Sequence, residues 1–243
     1  MKTLHLIGGE KGGVGKSVLA RLLCQYFVDQ DRAFAAFDGD GSHPALLRYY
    51  AEFTQPVVLA DYASCDQLLI AALETCNVVV DLPAQSERAM SRWLEDSGVR
   101  DLAEENAVHL VRWHVMDDGK DSVALLAQLI AEPQQASDFV VVRNYGRGRD
   151  FGWTEESDAH AAAAQARARF IDLPALHAAT MGKIDRIDAS FWAACHNRDP
   201  QCGPCLNLLE RQRVKIWLRR VYRELERAHP SLQPTTDVAG ERT

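Results

Sequence analysis

The chain contains no apolar run approaching the roughly 18 to 20 residues that a bilayer-spanning helix needs, which excludes a helical membrane span. Its amino terminus lacks the basic stretch, apolar core and small-residue cleavage site of a secretory leader. It enters a strand pattern at once with Thr3-Leu4-His5-Leu6-Ile7, so the expected compartment is the cytoplasm. Positive charge is in deficit: 27 Lys and Arg stand against 34 Asp and Glu, a net charge of -7. The molecule as a whole therefore repels phosphate, and any nucleic-acid contact has to come from a local basic patch. Internal repeats and low-complexity linkers are missing too, which favours one domain over a linked pair. What is present is ordinary for a folded domain: 243 residues, 47% hydrophobic and 25% charged, enough to bury a full core. Three of the six cysteines (Cys24, Cys65, Cys76, Cys195, Cys202 and Cys205) lie in apolar-patterned segments and read as small buried hydrophobes.

Short apolar runs alternate with longer helical patterns. The strand-like runs are residues 4–7, 33–37, 57–60, 78–80, 108–115 and 139–142, with a weaker one near 170–171. Helical patterns occupy 17–29, 45–51, 65–75, 87–96, 120–131 and 155–169. Val78, Val79 and Val80 are apolar in succession, as a parallel strand covered on both faces requires. Strand–helix alternation with right-handed crossovers predicts an α/β fold, a doubly wound and mostly parallel sheet with helices on both faces. After Phe191 the pattern is wholly helical. Val214, Trp217, Val221 and Leu225 form an apolar stripe that ends at Pro230. The expectation is one domain over 1–230 and a polar, disordered tail over 231–243.

The first strand runs into Gly8-Gly9-Glu10-Lys11-Gly12-Gly13-Val14-Gly15-Lys16-Ser17 and then into a helix beginning near Val18. This fills the pattern G-x-x-x-x-G-K-[ST] of a phosphate-binding loop, in the required strand-then-helix context. Glycines let the backbone curl until its N–H groups face a polyphosphate. The helix amino terminus favours the anion. On this reading the backbone of Gly9, Glu10, Lys11, Gly12, Gly13, Val14, Gly15, Lys16, Ser17 and Val18 cradles ATP. Lys16 reaches the β- and γ-phosphates and Ser17 ligates Mg²⁺. Such a site needs carboxylates at neighbouring strand ends. Phe37-Asp38-Gly39-Asp40 and Val80-Asp81-Leu82-Pro83 supply them, against the plainer reading of turn or helix-cap aspartates.

The heptapeptide Lys11-Gly12-Gly13-Val14-Gly15-Lys16-Ser17 resembles the deviant Walker A loop of the ParA/MinD family, and the order of motifs follows that family from residue 1 to about 180. The resemblance implies a homodimer with two ATP molecules at its interface, in which Lys11 reaches the partner's nucleotide. It further implies that Asp40 positions the attacking water, that Asp38 supports the metal site, and that Asp81 holds Mg²⁺ through water. Asn144 would face the adenine edge and Pro174 would cover the base. A partner protein would stimulate slow hydrolysis. The family usually continues its first aspartate segment with Pro-Gln; this chain has Gly41-Ser42-His43-Pro44 instead. Residues 209–216 and 114–122 look like the TraL- and MobD-type branch found with conjugative and mobilisable plasmids.

Two signals remain open in the sequence. Arg211, Lys215, Arg219, Arg223 and Arg227 recur every fourth residue along the last helix. A solvated face is the usual meaning of such a row, and non-specific binding to DNA phosphates is the sharper one. Cys195, Cys202 and Cys205 with His196 invite a zinc site, against a plain Gly-Pro loop. No amphipathic membrane-targeting helix can form after Pro230, so no membrane partner is expected. Rival functions for the same fold are an ATP-dependent biosynthetic enzyme, a metal-cluster carrier, or an ATPase that positions a protein machine without DNA.

Overall fold

The computed structural model describes residues 1–75, 77–131, 138–198 and 205–233. Seven parallel strands form one sheet in the order β3-β2-β4-β1-β5-β6-β7. They are β1 (Lys2–Gly8), β2 (Ala35–Asp38), β3 (Thr54–Pro56), β4 (Asn77–Asp81), β5 (Val108–Met116), β6 (Asp138–Asn144) and β7 (Arg169–Leu173). The helices are α1 (Lys16–Asp29), α2 (Ala45–Tyr49), α3 (Tyr62–Thr75), α4 (Glu87–Asp96), α5 (Val99–Glu105), α6 (Lys120–Ala131), α7 (Gly152–Glu155), α8 (Asp158–Gln165), α9 (Ala178–Arg186), α10 (Phe191–His196) and α11 (Leu208–Ala228).

Both faces of the sheet are buried because alternate side chains of each strand feed opposite cores. Ile7, Val79, Val111, Val140 and Val142 join α1, α2, α9, α10 and α11 on one side. Leu4, Leu6, Val78, Val80 and Leu110 join α3, α4 and α5 on the other. Leu126 and Leu129 of α6 and Ala159 of α8 cover Phe139, Val141 and Met116. The strand order reverses direction at β1, between β4 and β5, which is the switch point where doubly wound sheets leave a crevice at their carboxyl edge.

Three expectations are corrected. The strand expected at 57–60 lies earlier, at Thr54–Pro56. It is a short edge strand, where Pro56 is tolerated because it need not donate outward. The single helix expected over 155–169 is two: Ser157 accepts a hydrogen bond from the His160 amide and starts α8 afresh, and Arg169 already belongs to β7. Ser231 and Leu232, expected in the polar tail, are instead buried in a 3-10 turn, and the Tyr26 hydroxyl donates to the Leu232 carbonyl; positions 234–243 of the expected tail lie outside the described residues. The stripe Val214, Trp217, Val221 and Leu225 is buried as expected, and α11 opens with a reciprocal cap between Asn207 and Glu210.

Candidate functional site

The loop between β1 and α1 sits at the carboxyl edge of the central strand. Gly9, Gly13 and Gly15 take φ values of 140°, 76° and 103°. Gly15 is the most constrained: its backbone is left-handed, and a Cβ there would collide with the amide nitrogen of Asn144. Lys16 opens α1 with only 7% of its surface exposed, and its Nζ donates to the Lys11 carbonyl at 2.9 Å across the mouth of the loop. Burial lowers the Lys16 ammonium's pKa, opposed by the nearby carboxylates of Asp81, Glu10 and Asp40.

Asp81 ends β4 at the position paired with Ile7 on one side and Asp38 on the other. It is 1% exposed, and neither carboxylate oxygen has a hydrogen bond of normal geometry. Burial raises its pKa to about 7, with Ser17 and Lys16 pulling it back and Asp38 and Asp40 pushing it further up. A buried carboxylate beside Ser17 with both oxygens unpartnered fits a hydrated divalent cation, since ordinary folds rarely leave such atoms orphaned.

Asp38 is differently placed. Its oxygens accept from the amides of Asp40 (3.1 Å), Leu46 (2.8 Å) and Leu47 (3.3 Å), so it caps the start of α2. Asp40 accepts from Ser42 and His43 at 3.0 Å each, closing the turn before Pro44. Asn144 donates to the Val14 carbonyl at 2.7 Å and accepts from Gly146 at 2.9 Å, so its side chain braces the loop from below. Beside it opens a cleft of about 930 Å³ lined by Val18, Asn144, Arg147, Pro174, His177 and Trp217. Trp217 of α11 donates to the Pro174 carbonyl at 2.6 Å, which ties the carboxy-terminal helix to this cleft.

Lys11 stands on the outer arm of the loop with its side chain 31% exposed, and pairs with Asp117 at 2.9 Å. Burial pushes the Asp117 carboxyl up, but Ser122, Lys11 and the Gly119 amide outweigh that and hold it below the usual carboxylate range. Asp117 follows β5 directly. The signal that points to it in the sequence is its place at a strand's carboxyl end. Glu10 was expected only as loop backbone, yet its carboxylate accepts from the Glu87 amide at 3.0 Å, and the Glu87 side chain in turn pairs with Arg112.

The expected basic row lies on α11, remote in sequence from the loop. Arg219, Arg223 and Arg227 are exposed and Arg211 and Lys215 are half-buried. Arg211 donates to the Leu206 carbonyl and Arg227 pairs with Glu224. Cys195 is buried in α10, which raises its thiol pKa to about 11, and Cys205 is half-buried. Among the described residues no cysteine joins a metal-spaced cluster; Cys202 lies outside them.

No family model matches the chain. Its structure resembles that of the MinD cell division protein of Aquifex aeolicus, with a TM-score of 0.53 at 12% identity, over 92% of this chain and 98% of that one. The fold is thus the doubly wound MinD/ParA type of P-loop protein. In sequence the chain is 28% identical to Protein TraL of Escherichia coli over 243 residues, 94% of this chain and 99% of that protein. It is also 28% identical to Protein MobD of Acidithiobacillus ferrooxidans over 158 residues, 62% of this chain and 67% of that one. It is a distant homologue of both.

Proposed function

We propose that this chain is a slow, partner-stimulated ATPase that dimerises on ATP and acts as a switch in plasmid DNA partition or transfer, or in intracellular positioning. One observation carries the reading: a single glycine-bent loop presents one buried lysine toward the sheet edge and a second, part-exposed lysine on its outer arm. A loop that served only its own nucleotide has no need of the second. Lys16 and the loop amides bind the triphosphate, and the cleft beside Val18, Asn144 and Pro174 receives the base. Ser17 and Asp81, with Asp38 behind them, would hold Mg²⁺, which neutralises charge on the phosphate oxygens. Lys11 leaves Asp117 and reaches the nucleotide of a second copy. Asp40 orients the water that converts ATP to ADP and phosphate.

The exposed part of the arginine row on α11 is the candidate DNA contact. Gel shifts with random duplex DNA at two salt concentrations test this. The expected result is retardation with ATP that weakens steeply with salt and disappears in an Arg219→Glu, Arg223→Glu double variant. Absence of retardation with ATP would discard DNA as the partner and leave a protein machine as the cargo; retardation indifferent to both substitutions would take the contact away from α11.

A further inference from the structure

At the opposite, amino edge of the sheet three chemically matched side chains meet. His109 is the second residue of β5, Asp138 the first of β6, and His229 follows α11 directly. One ligand atom from each lies within 4.8 Å of the other two, and His229 Nε2 stands 2.9 Å from Asp138 Oδ2. The ring centres of His109 and His229 are 6.1 Å apart. Two imidazoles sharing one metal at about 2.0–2.1 Å would have centres roughly 5–6 Å apart, so a small rotation of the exposed His109 suffices. The His109 register partner is Thr3, while Gly8, at the start of the phosphate loop, pairs with His114. The cluster is therefore on the order of 16 Å along the strands from that site.

We propose that His109, Asp138 and His229 form a binding site for a divalent transition-metal cation that fastens the end of the carboxy-terminal helix to the sheet. Two imidazoles with one carboxylate are the donor set that such ions prefer over Mg²⁺ or Ca²⁺. In the metal-free ring the buried His229 accepts the Ser231 amide at Nδ1 (3.2 Å) and donates from Nε2 to Asp138 (2.9 Å). A metal at Nε2 displaces that proton to Nδ1, where the Ser231 hydroxyl at 2.7 Å accepts it as the outer partner of the ligand. The buried His5 ring stands edge-on at 6.4 Å. It accepts from the Trp113 indole N–H at 3.2 Å, leaving its Nε2 without a hydrogen-bond partner on this same apolar side. A cavity of about 370 Å³ bordered by Arg100, Glu104, His109 and Asp138 leaves room for water at the remaining coordination position.

The test is a zinc titration by calorimetry of the full chain, stripped of metal and free of nucleotide and Mg²⁺, with cobalt absorption as a second readout. One equivalent of zinc is expected. His109→Ala, an exposed and foldable change, and Asp138→Asn should each weaken it at least tenfold. Zinc should raise the melting temperature of the unaltered chain and not of His109→Ala. Bound cobalt should lack a thiolate charge-transfer band, and Cys205→Ser should leave the titration unchanged. Absence of zinc binding overturns the proposal. So does binding that survives both His109→Ala and Asp138→Asn, or binding that is lost in Cys205→Ser.

Discussion

Lys16 and Lys11 stand five residues apart on one loop and are held by different kinds of partner. Lys16 is nearly buried and bonded to a backbone carbonyl, with the orphaned Asp81 carboxylate as its electrostatic complement. Lys11 is part-exposed and bonded to a side chain that another carboxylate or a phosphate could replace. The inner arm is shaped by the fold itself and, on the proposed function, grips the ligand. The outer arm rests on an exchangeable ion pair, of the kind worth about 0–1 kcal/mol when solvent reaches it. A switch needs this division, because the part that grips must stay fixed while the part that changes partner must let go cheaply.

The sharpest way to break the comparison is Lys16→Ala. Losing a charge-assisted contact to the triphosphate removes about 3 kcal/mol, so ATP affinity measured by calorimetry should fall by roughly 100-fold or more. A change within tenfold would mean that the inner arm does not hold phosphate. The wall behind that arm makes a pH prediction. His114, paired with Gly8, is buried with both ring nitrogens unpartnered. Burial, then Arg112 and Lys16, lowers its pKa from 6.5 to about 4. The unfolded chain takes up that proton near 6.5, so the contribution to stability is full above that pH and drains as pH falls toward 4, by about 3 kcal/mol in all. Urea midpoints of His114→Leu should therefore fall less between pH 6.5 and 4 than those of the unaltered chain. Parallel slopes would show that the imidazole is already protonated or solvated.

Smaller effects sharpen the outer arm. Lys11→Ala should leave ATP affinity of the monomer within several-fold, a loss of about 1 kcal/mol, while removing ATP-dependent association in sedimentation. Smallest of all, Asp117→Ala frees Lys11 and should shift the dimerisation constant toward the dimer by at most about fivefold. A shift toward the monomer would assign Asp117 to the interface itself rather than to a resting clasp.

How far these features could be read from sequence follows the range of the interactions. The loop was legible because its demands are local: a strand, glycines at fixed positions, Lys16-Ser17 and a helix, all within one segment. Asp81 was legible from its place after an all-apolar strand. The partner of Lys11 lies 106 residues away, and no spacing rule connects Lys11 to Asp117. Nothing in the sequence signals that the Asn144 amide also donates to the Val14 carbonyl, a contact that only the packing of β6 beside the loop creates. The Thr54–Pro56 strand was misplaced because a three-residue edge strand has no periodicity to read, and the true neighbour, Val57, is apolar enough to draw the pattern forward. α5 and α9 went unrecognised because each buries only two positions, Val99 and Ala103 in one and Thr180 and Ile184 in the other, too few to set a helical period. The histidine pair at the amino edge joins β5 to the end of α11, 120 positions further on, and is invisible until the sheet is assembled.

The most direct measurement is light scattering on size-exclusion chromatography of Asp40→Ala, which should trap ATP unhydrolysed, with ATP and Mg²⁺, beside Asp40→Ala, Lys11→Ala under the same conditions. The account predicts twice the monomer mass for the first and the monomer mass for the second. A monomer in both, with ATP shown to be bound, would contradict it.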